Sequence, residues 1–380
     1  MTISPRIAII GGGPGGLMLA RLLAVRGIAV TVFERDAHAQ ERPQGGSLDL
    51  HAETGQRAMR LARLERAFEA EARPEDQGDR LYDAQGRLLF DRDGAQDDRP
   101  EIDRTALRRI LLESLAPDAV RWGTRIAAIA PLDAGGYAIV VEGAEGVVEP
   151  FDIVIGADGA WSQVRALLSD VMPVYEGVTL IEFGFDVRRH PAVDALVGGG
   201  KMFAVGDDRV LIAQRNGHGH IRGYAGLRMS EAEARAMEGR AMEEQAPESV
   251  RDIVRAAFSG WAPSLSSLVE SGDLLAVRPL YALPVGFAWA NRTGVTLLGD
   301  AAHLMSPFSG EGVNLALADA VDLAEALASG EGWSAVARYE VGMTARAVPA
   351  AQGAAEGLRG AFSATGLADI LDHYRERAAR

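Results

Sequence analysis

The chain has no cysteine among its 380 residues. That excludes disulfides, thiolate metal sites and a cysteine nucleophile. It also has no excess of basic charge: 39 Lys and Arg stand against 53 Asp and Glu, a formal net charge of −14. Nucleic-acid phosphates and anionic lipid surfaces both select clustered cations, so neither is an expected partner. No apolar run approaches the ~20 residues that cross a bilayer. The first apolar run has no basic stretch ahead of it and no small-residue cleavage pattern behind it. The chain therefore reads as soluble and cytoplasmic. No G-x-S-x-G elbow supports a serine nucleophile. The one close histidine pair, His218-Gly219-His220, lacks neighbouring carboxylates and reads as a turn, so no metal site is expected. There is no internal repeat.

What is present begins with a 48% hydrophobic composition, enough for a sizeable core. The most informative stretch runs from Arg6 to Arg35. The run Ile7-Ala8-Ile9-Ile10 reads as a buried strand and passes directly into Gly11, Gly13 and Gly16, spaced G-x-G-x-x-G. Leu17 to Val25 carries apolar residues at helical period, Gly27 closes the helix, and Ile28 to Phe33 reads as a second strand. Such glycines make a tight turn, let backbone approach a pyrophosphate, and let helix pack closely on strand. The diphosphate then rests on the free N–H groups and positive end of the helix. Glu34 ends the second strand 18 positions after Gly16, where an acid bonds an adenosine ribose. A bound dinucleotide is the expectation.

Further along, a helix is expected from Glu53 to about Ala72, and a hairpin over Leu81–Phe90 with Asp-Ala-Gln-Gly as its turn. Asp91 to Asp98 reads as an acidic surface loop. Asp103 is a candidate N-cap for a helix to Leu115. Strands follow at Val120–Trp122, Ile126–Ile129, Tyr137–Val141 and Phe151–Ile155, the last ending in Gly156-Ala157-Asp158-Gly159. Two such buried strands suit a parallel sheet covered on both faces. From Pro173 to Gly226 the pattern changes to short strands, Val178–Phe185, Lys201–Val205, Val210–Gln214 and His220–Leu227, which reads as a separate antiparallel sheet. A helical stretch, Glu231 to Phe258, comes next. Val295-Thr296-Leu297-Leu298 is again a buried strand, followed by Gly299-Asp300-Ala301-Ala302-His303, a loop to Gly312 and a helix from Val313 to Ala328. Beyond Glu331 the chain reads as mostly helical, with a break near Pro349.

Read together, the glycine triplet, Gly156-Ala157-Asp158-Gly159 and Gly299-Asp300 resemble the flavoprotein aromatic hydroxylase group of FAD-dependent monooxygenases, in which these motifs occur in this order. Gly310-Glu311-Gly312-Val313-Asn314 departs modestly from that group, which usually has Gln where Glu311 stands. The late motif also makes physical sense alone. A carboxylate at the C-terminal end of a parallel strand lies in the ligand crevice of such sheets. A helix starting near Gly312 would aim N–H groups at a reduced flavin, which is negative on its pyrimidine side.

Within that group, Gly45-Gly46-Ser47-Leu48-Asp49-Leu50-His51, Gln56, Leu107-Arg108 and Gly299-Asp300-Ala301-Ala302-His303-Leu304-Met305 resemble the tetracycline-inactivating monooxygenases. This resemblance implies an α/β fold: an FAD-binding Rossmann-like domain of the glutathione-reductase type, an inserted antiparallel-sheet substrate domain and a C-terminal bridging helix. The implied FAD-binding domain comprises 1–73, 99–170 and 275–328. The substrate-binding domain comprises 74–98 and 171–274, and the C-terminal segment 329–380. The implied cofactor contacts are Gly11, Gly13, Gly15, Gly16, Glu34, Arg35, Asp49, Arg108, Asp158, Asp300, Pro307, Gly312, Val313 and Asn314, with Arg42 meeting NADPH. On the middle sheet, Met202, Gln214 and Arg222 become substrate candidates. The chain departs from those enzymes where substrate is chosen: Gly184 stands near the Gln, and Arg222 near the His, with which they grip the antibiotic.

The bland readings are surface cations for Arg35, Arg42 and Arg108, a solvent-facing Asp49, and a loop-filling role for His303. Trp161 and Ser162 would pack locally, with Arg165 an ion-pair or NADPH candidate. The implied activity is NADPH-dependent oxygen insertion into an aromatic, phenolic or enol molecule, of polyketide type if tetracycline-like, through a hydroperoxyflavin. FAD would be noncovalent, NADPH transient for want of a second glycine motif, O2 the co-substrate, and the protein a monomer. No side chain is expected to be an obligatory catalyst, because the flavin carries the chemistry. A flavin halogenase is disfavoured by the absence of its Trp-x-Trp-x-Ile-Pro motif. A flavin dehydrogenase or reductase, and a non-enzymatic FAD-binding module, remain open.

Overall fold

The computed structural model describes residues 5–41, 45–94, 98–143, 148–241 and 247–378. Five parallel strands form the first sheet, in the order Val295–Leu297, Ile153–Gly156, Ile7–Ile10, Val30–Phe33 and Val120–Arg121. Ile7, Ala8, Ile9 and Ile10 are all buried, because both faces of the sheet are covered. Helix Pro14–Val25 packs beside helix Gly312–Ala328. A three-stranded antiparallel sheet, Ile126–Pro131, Tyr137–Val141 and Val148–Phe151, joins the same core, with Phe151 edge-on to Phe33 at 5.6 Å.

Gly27, at φ +74°, ends the first helix as expected, and the N–H of Ile28 reaches back to Leu23 O. The helix expected over 53–72 is broken into a wide turn at Ala52–Gln56 and two short helices, Arg57–Leu61 and Glu65–Glu69. Arg63 adopts φ +59° between them, a conformation that ends a helical run and that apolar periodicity does not register.

The second large sheet has seven strands: Asp273–Ala282, Val174–Asp186, His220–Arg228, Arg209–Asn216, Gly200–Gly206, Gly78–Asp83 and Leu88–Arg92. All neighbours are antiparallel except Gly200–Gly206 with Gly78–Asp83. A boundary at 274 would cut the edge strand Asp273–Ala282, whose pairing with Val174–Asp186 continues to Ala282. That strand was missed because its exposed and half-buried residues give no clean alternation.

One face of this sheet is covered by helices Pro191–Val197, Glu231–Ala241, Pro247–Ala257 and Pro263–Glu270. The C-terminal part of the chain covers part of the other face, where Leu358, Ala361, Phe362 and Tyr374 meet Leu81, Val178, Leu180, Val205 and Val210. Strand periodicity decides which residues go where. Along Gly200–Gly206, Met202 and Ala204 enter the helix-covered core while Phe203 and Val205 face the C-terminal side.

Pro349 does not break the C-terminal helix, which runs unbroken from Trp333 to Ala361, and the chain turns only after Phe362. The loss of one backbone hydrogen bond is outweighed by the burial of Tyr339, Met343, Ala347, Ala354 and Leu358 along one side. Among the described residues no helix is long and apolar enough to cross a membrane.

Candidate functional site

The glycine loop is shaped for a ligand that brings its own negative charge. A Cβ on Gly11, which sits at φ +109°, would fall 2.2 Å from Ala157 O, and one on Gly16 would fall 2.2 Å from Gly11 O. Side chains are thus excluded on the protein side of the loop. On the open side, a Cβ at Gly13 would meet nothing within 4 Å. Gly13 is also the N-cap of helix Pro14–Val25, with no side chain bonded over the helix end, and Gly15 is buried in the first turn. Among the described residues no side chain approaches that side of Gly13, and free helix N–H groups facing such a space are what a diphosphate requires.

Glu34 is 5% exposed. Its carboxylate accepts N–H bonds from Gly12 at 2.8 Å and Asp36 at 3.0 Å, which leaves lone pairs for a ribose diol. Arg108, 2% exposed, lies behind it. It donates to Gly12 O at 3.3 Å, Ala39 O at 3.2 Å and Asp36 at 3.1 Å, lies 3.5 Å from Glu34, and faces the Trp122 ring. Arg108 is therefore not a surface cation; it fixes the glycine loop to the end of the second strand. Arg35 is exposed, and Arg42 lies outside the described residues.

Asp158 is turned inward. It accepts from Ser162 Oγ at 2.5 Å and from the N–H groups of Gln163 and Val164, and burial pushes its carboxyl up from the usual range. Arg165 is 1% exposed, donates to Ala160 O and Ala301 O, and lies in the field of the Asp158 carboxylate, tying the Asp158 loop to the Asp300 turn. Trp161, 54% exposed, packs edge-on against Tyr281. Asp300 is exposed and among the described residues has no hydrogen-bond partner, so its carboxylate is available to a ligand hydroxyl.

His303 does not merely fill a loop. Its Nε2 lies 2.6 Å from Asp319, a fully buried carboxylate that also accepts from Gly299 N at 3.0 Å and Arg346 at 2.9 Å. Burial works against the imidazolium, but Asp319 raises His303 above its ordinary range; the reciprocal attraction holds Asp319 below its own.

A third layer lies over the cofactor crevice. Strand Ser47–Asp49 pairs antiparallel with Glu101–Asp103. Pro307 begins a short turn that ends at Gly310, and helix Gly312–Ala328 starts beside Asp49. Asn314, fully buried, clips the two together: its Oδ1 accepts His51 N at 2.9 Å and its Nδ2 donates to Asp49 O at 2.9 Å. Asn314 thus holds the strand rather than facing the crevice, whereas Gly312 carries no side chain and Val313 is only half-buried. Asp49 is half-buried; burial alone would raise it, but His51 and Lys201 hold it below the usual carboxylate range. His51 lies 3.2 Å from Asp49 and 3.5 Å from Glu311, which outweigh burial and push it up to about 9.

Above this strand stands the open face of the seven-stranded sheet. Gln214 donates to Glu101 at 2.9 Å, and Ser47 Oγ donates to the same carboxylate at 2.6 Å. Burial pushes Glu101 up to about 7, with Lys201, the sole lysine of the chain, opposing. Arg222 pairs with the buried Glu182, which also holds Arg278 at 2.5 Å. A Cβ on Gly46 would meet Tyr224 Oη at 3.0 Å and Arg222 Cδ at 3.7 Å, so this face looks directly onto the Gly45–Asp49 segment. Gly184 and Arg222 are register partners on adjacent strands, as are Arg222 and Gln214. Met202 is excluded from this face: alternation turns it into the helix-covered core, where it is fully buried.

Asp103 makes no helix-capping bond; it accepts instead from Gly217 N and pairs with Arg73 at 3.0 Å. His51, Glu101, Glu182 and Lys201 were not anticipated as site residues. For Glu101 alone a signal exists in the alternation Ser47-Leu48-Asp49 against Glu101-Ile102-Asp103, since two short strands with polar ends and one buried apolar centre set Asp49 opposite Glu101.

The groups present fit FAD: a glycine-lined helix start for the diphosphate, a buried acid for the ribose, an exposed acid at a strand end and a second helix N-terminus. Comparison with known proteins agrees. Residues 5–341 match the family model FAD_binding_3, described as FAD binding domain. Monooxygenase penA of Penicillium thymicola is 32% identical over 366 residues, covering 85% of this chain and 84% of that protein. A solved structure from Photorhabdus luminescens, described as an FAD-containing monooxygenase, superposes with TM-score 0.79 at 28% identity, covering 94% of this chain and 99% of the other. The tetracycline destructase Tet(51) superposes with TM-score 0.75 at 18% identity, over 99% and 95% of the two chains, and so shares the fold. The chain belongs to the FAD_binding_3 family and is an FAD-dependent monooxygenase.

Proposed function

We propose that the protein oxidises NADPH and inserts one atom of O2 into an electron-rich aromatic, phenolic or enol carbon of a small molecule held between strand Ser47–Asp49 and the open face of the seven-stranded sheet. The observation that carries this reading is the facing pair of surfaces: Gln214, Arg222 and Tyr224 stand over Gly45–Asp49, the segment clipped to the second helix N-terminus by Asn314. When bound, FAD supplies the redox and oxygen-activating chemistry. The chain's own residues orient and shield. Gly13 and the first-turn N–H groups of Pro14–Val25 hold the diphosphate, Glu34 the adenosine ribose, and Asp300 a further hydroxyl. Arg108 and Arg165 keep the loops that carry these groups in register.

On the substrate side, Glu101 commits the amide N–H of Gln214 to itself, so Gln214 offers its carbonyl oxygen to a substrate donor. Arg222, which shares the Glu182 carboxylate with Arg278, offers remaining N–H groups to a substrate oxygen. Phe308 and Phe362, 6.0 Å apart, belong to the apolar wall that excludes water from this end of the sheet. The seven-stranded sheet, through Ala282, is thus the substrate-binding unit, and the parallel sheet with its helices the FAD-binding unit. A tetracycline-like polyketide is one candidate substrate, suggested by the resemblance of the Gly45–His51 and Gly299–Met305 segments, which hold cofactor in that reading; Gly184 and Arg222 on the middle sheet depart from it.

The test is anaerobic mixing of the FAD-loaded protein with NADPH, followed by the loss of flavin absorbance with and without a tetracycline. Faster bleaching with the drug, and a hydroxylated drug once oxygen enters, supports the full reading. Bleaching indifferent to the drug removes the tetracycline assignment and keeps the donor. No bleaching by NADPH overturns the donor assignment.

A further inference from the structure

The ring of His51 bridges the end of strand Ser47–Asp49 and the start of helix Gly312–Ala328. Asp49 ends the strand and His51 follows two residues later on one side; Glu311 immediately precedes helix Gly312–Ala328 on the other. Nε2 of His51 lies 3.2 Å from Asp49 Oδ2, and Nδ1 lies 3.5 Å from Glu311 Oε2. Both ring nitrogens therefore face carboxylates, and only an imidazolium carries a proton on each. The backbone fixes this arrangement, since His51 N is held by Asn314 and Asn314 in turn holds Asp49 O.

Other charged groups face the cluster. Glu101 is the cross-strand partner of Asp49, Lys201 attracts both carboxylates, and exposed Arg99 has a guanidinium nitrogen 3.5 Å from His51 Nε2. Asp49, His51 and Glu311 together carry one net negative charge, set against the partial positive charge of the helix start.

We propose that Asp49, His51 and Glu311 form a charge clasp that sets how strongly the protein prefers reduced over oxidised FAD. This rests on the flavin reading above. Two-electron reduction places negative charge on the pyrimidine side of the ring, so the net charge of the clasp enters directly into the ratio of the two binding constants. Removing the cation leaves two negative charges and disfavours reduced FAD. Removing the Glu311 charge leaves none and favours it. Removing both returns the net charge to that of the parent.

The experiment is potentiometric titration of the FAD-loaded protein against a redox dye, together with FAD dissociation constants by flavin fluorescence. The variants are His51→Gln, Glu311→Gln and the double variant. His51→Gln lowers the reduced-to-oxidised affinity ratio by about tenfold, seen as a midpoint about 30 mV more negative for a two-electron couple. Glu311→Gln shifts it by a similar amount in the opposite direction, and the double variant lies near the parent. A merely structural role for these residues would weaken both redox forms alike and leave the midpoint in place. Single variants that shift in the same direction or not at all, in protein that still takes up FAD, overturn the clasp alone. A parent that takes up no FAD overturns the clasp and the flavin reading together.

Discussion

Asp319 offers the sharpest test of what holds the Asp300 turn in place. It is fully buried and receives three charged or backbone donors, Gly299 N, His303 Nε2 and Arg346, at 2.6 to 3.0 Å. Asp319→Ala takes from His303, itself 6% exposed, the carboxylate in contact with its ring, leaves Arg346 with Asp322 alone of its two acids, and orphans the Gly299 N–H. Removing one partner of a buried pair costs about 3–5 kcal/mol. For a chain of 380 residues with a specific unfolding entropy near 2.1 cal/mol/K per residue, that is a fall in Tm of roughly 5 °C.

The cost depends on pH with a defined sign. His303 is raised in the folded state, so its share of the stabilisation is complete below its ordinary range and is lost as pH rises through the folded value. Asp319 is lowered, so its share is present above the ordinary carboxylate range and is lost as pH falls through the folded value. The gap between parent and variant is therefore widest between those ranges, near pH 5–6, and narrows at alkaline pH. Thermal unfolding of both proteins across pH 4–9 measures this. A variant within 1 °C of the parent near pH 5–6, or a gap that widens with rising pH, refutes the reasoning.

Other substitutions separate neighbouring roles. Gly13→Ala meets no protein atom, so it leaves Tm near the parent while weakening FAD binding on the order of 10- to 100-fold by obstructing one or two charged hydrogen bonds; Gly16→Ala, whose methyl would strike Gly11 O, lowers Tm as well, and paired calorimetry reads both. Met202→Ala costs about 2–5 kcal/mol in denaturant unfolding yet leaves the order of preference among substrates unchanged, because the side chain lies behind the sheet. Glu101, raised to about 7, is ionised more readily in the unfolded chain, so the parent loses roughly 3 kcal/mol of stability as pH climbs from about 4.5 to 7. Glu101→Gln removes that slope and gains on the parent as pH rises, which unfolding at pH 4 and pH 8 compares.

The parallel sheet was legible because its strands are buried on both faces and read as continuous apolar runs: Ile7–Ile10, Ile153–Ile155 and Val295–Leu298 all stood out. The middle strands were legible by alternation and turn chemistry. Asp273–Ala282 was not, since an edge strand need not alternate cleanly. Sequence also could not decide the face of Met202, because a one-residue shift of register reverses it. The cradle and Glu34 followed from spacing fixed by a local turn. The contacts of Glu101 with Gln214, His51 with Glu311, Glu182 with Arg278 and Asp319 with His303 join residues from different elements, and no local pattern encodes those meetings.

The central claim is oxygen insertion at the expense of NADPH, and isotope labelling tests it most directly. FAD-loaded protein is supplied with NADPH, a tetracycline and a panel of phenols under 18O2, and products are weighed by mass spectrometry. One labelled oxygen atom per product molecule, with one NADPH and one O2 consumed for each, is the predicted result. Oxidised product without label, formed while oxygen uptake stays at its background rate, would contradict the account and make the protein a flavin dehydrogenase.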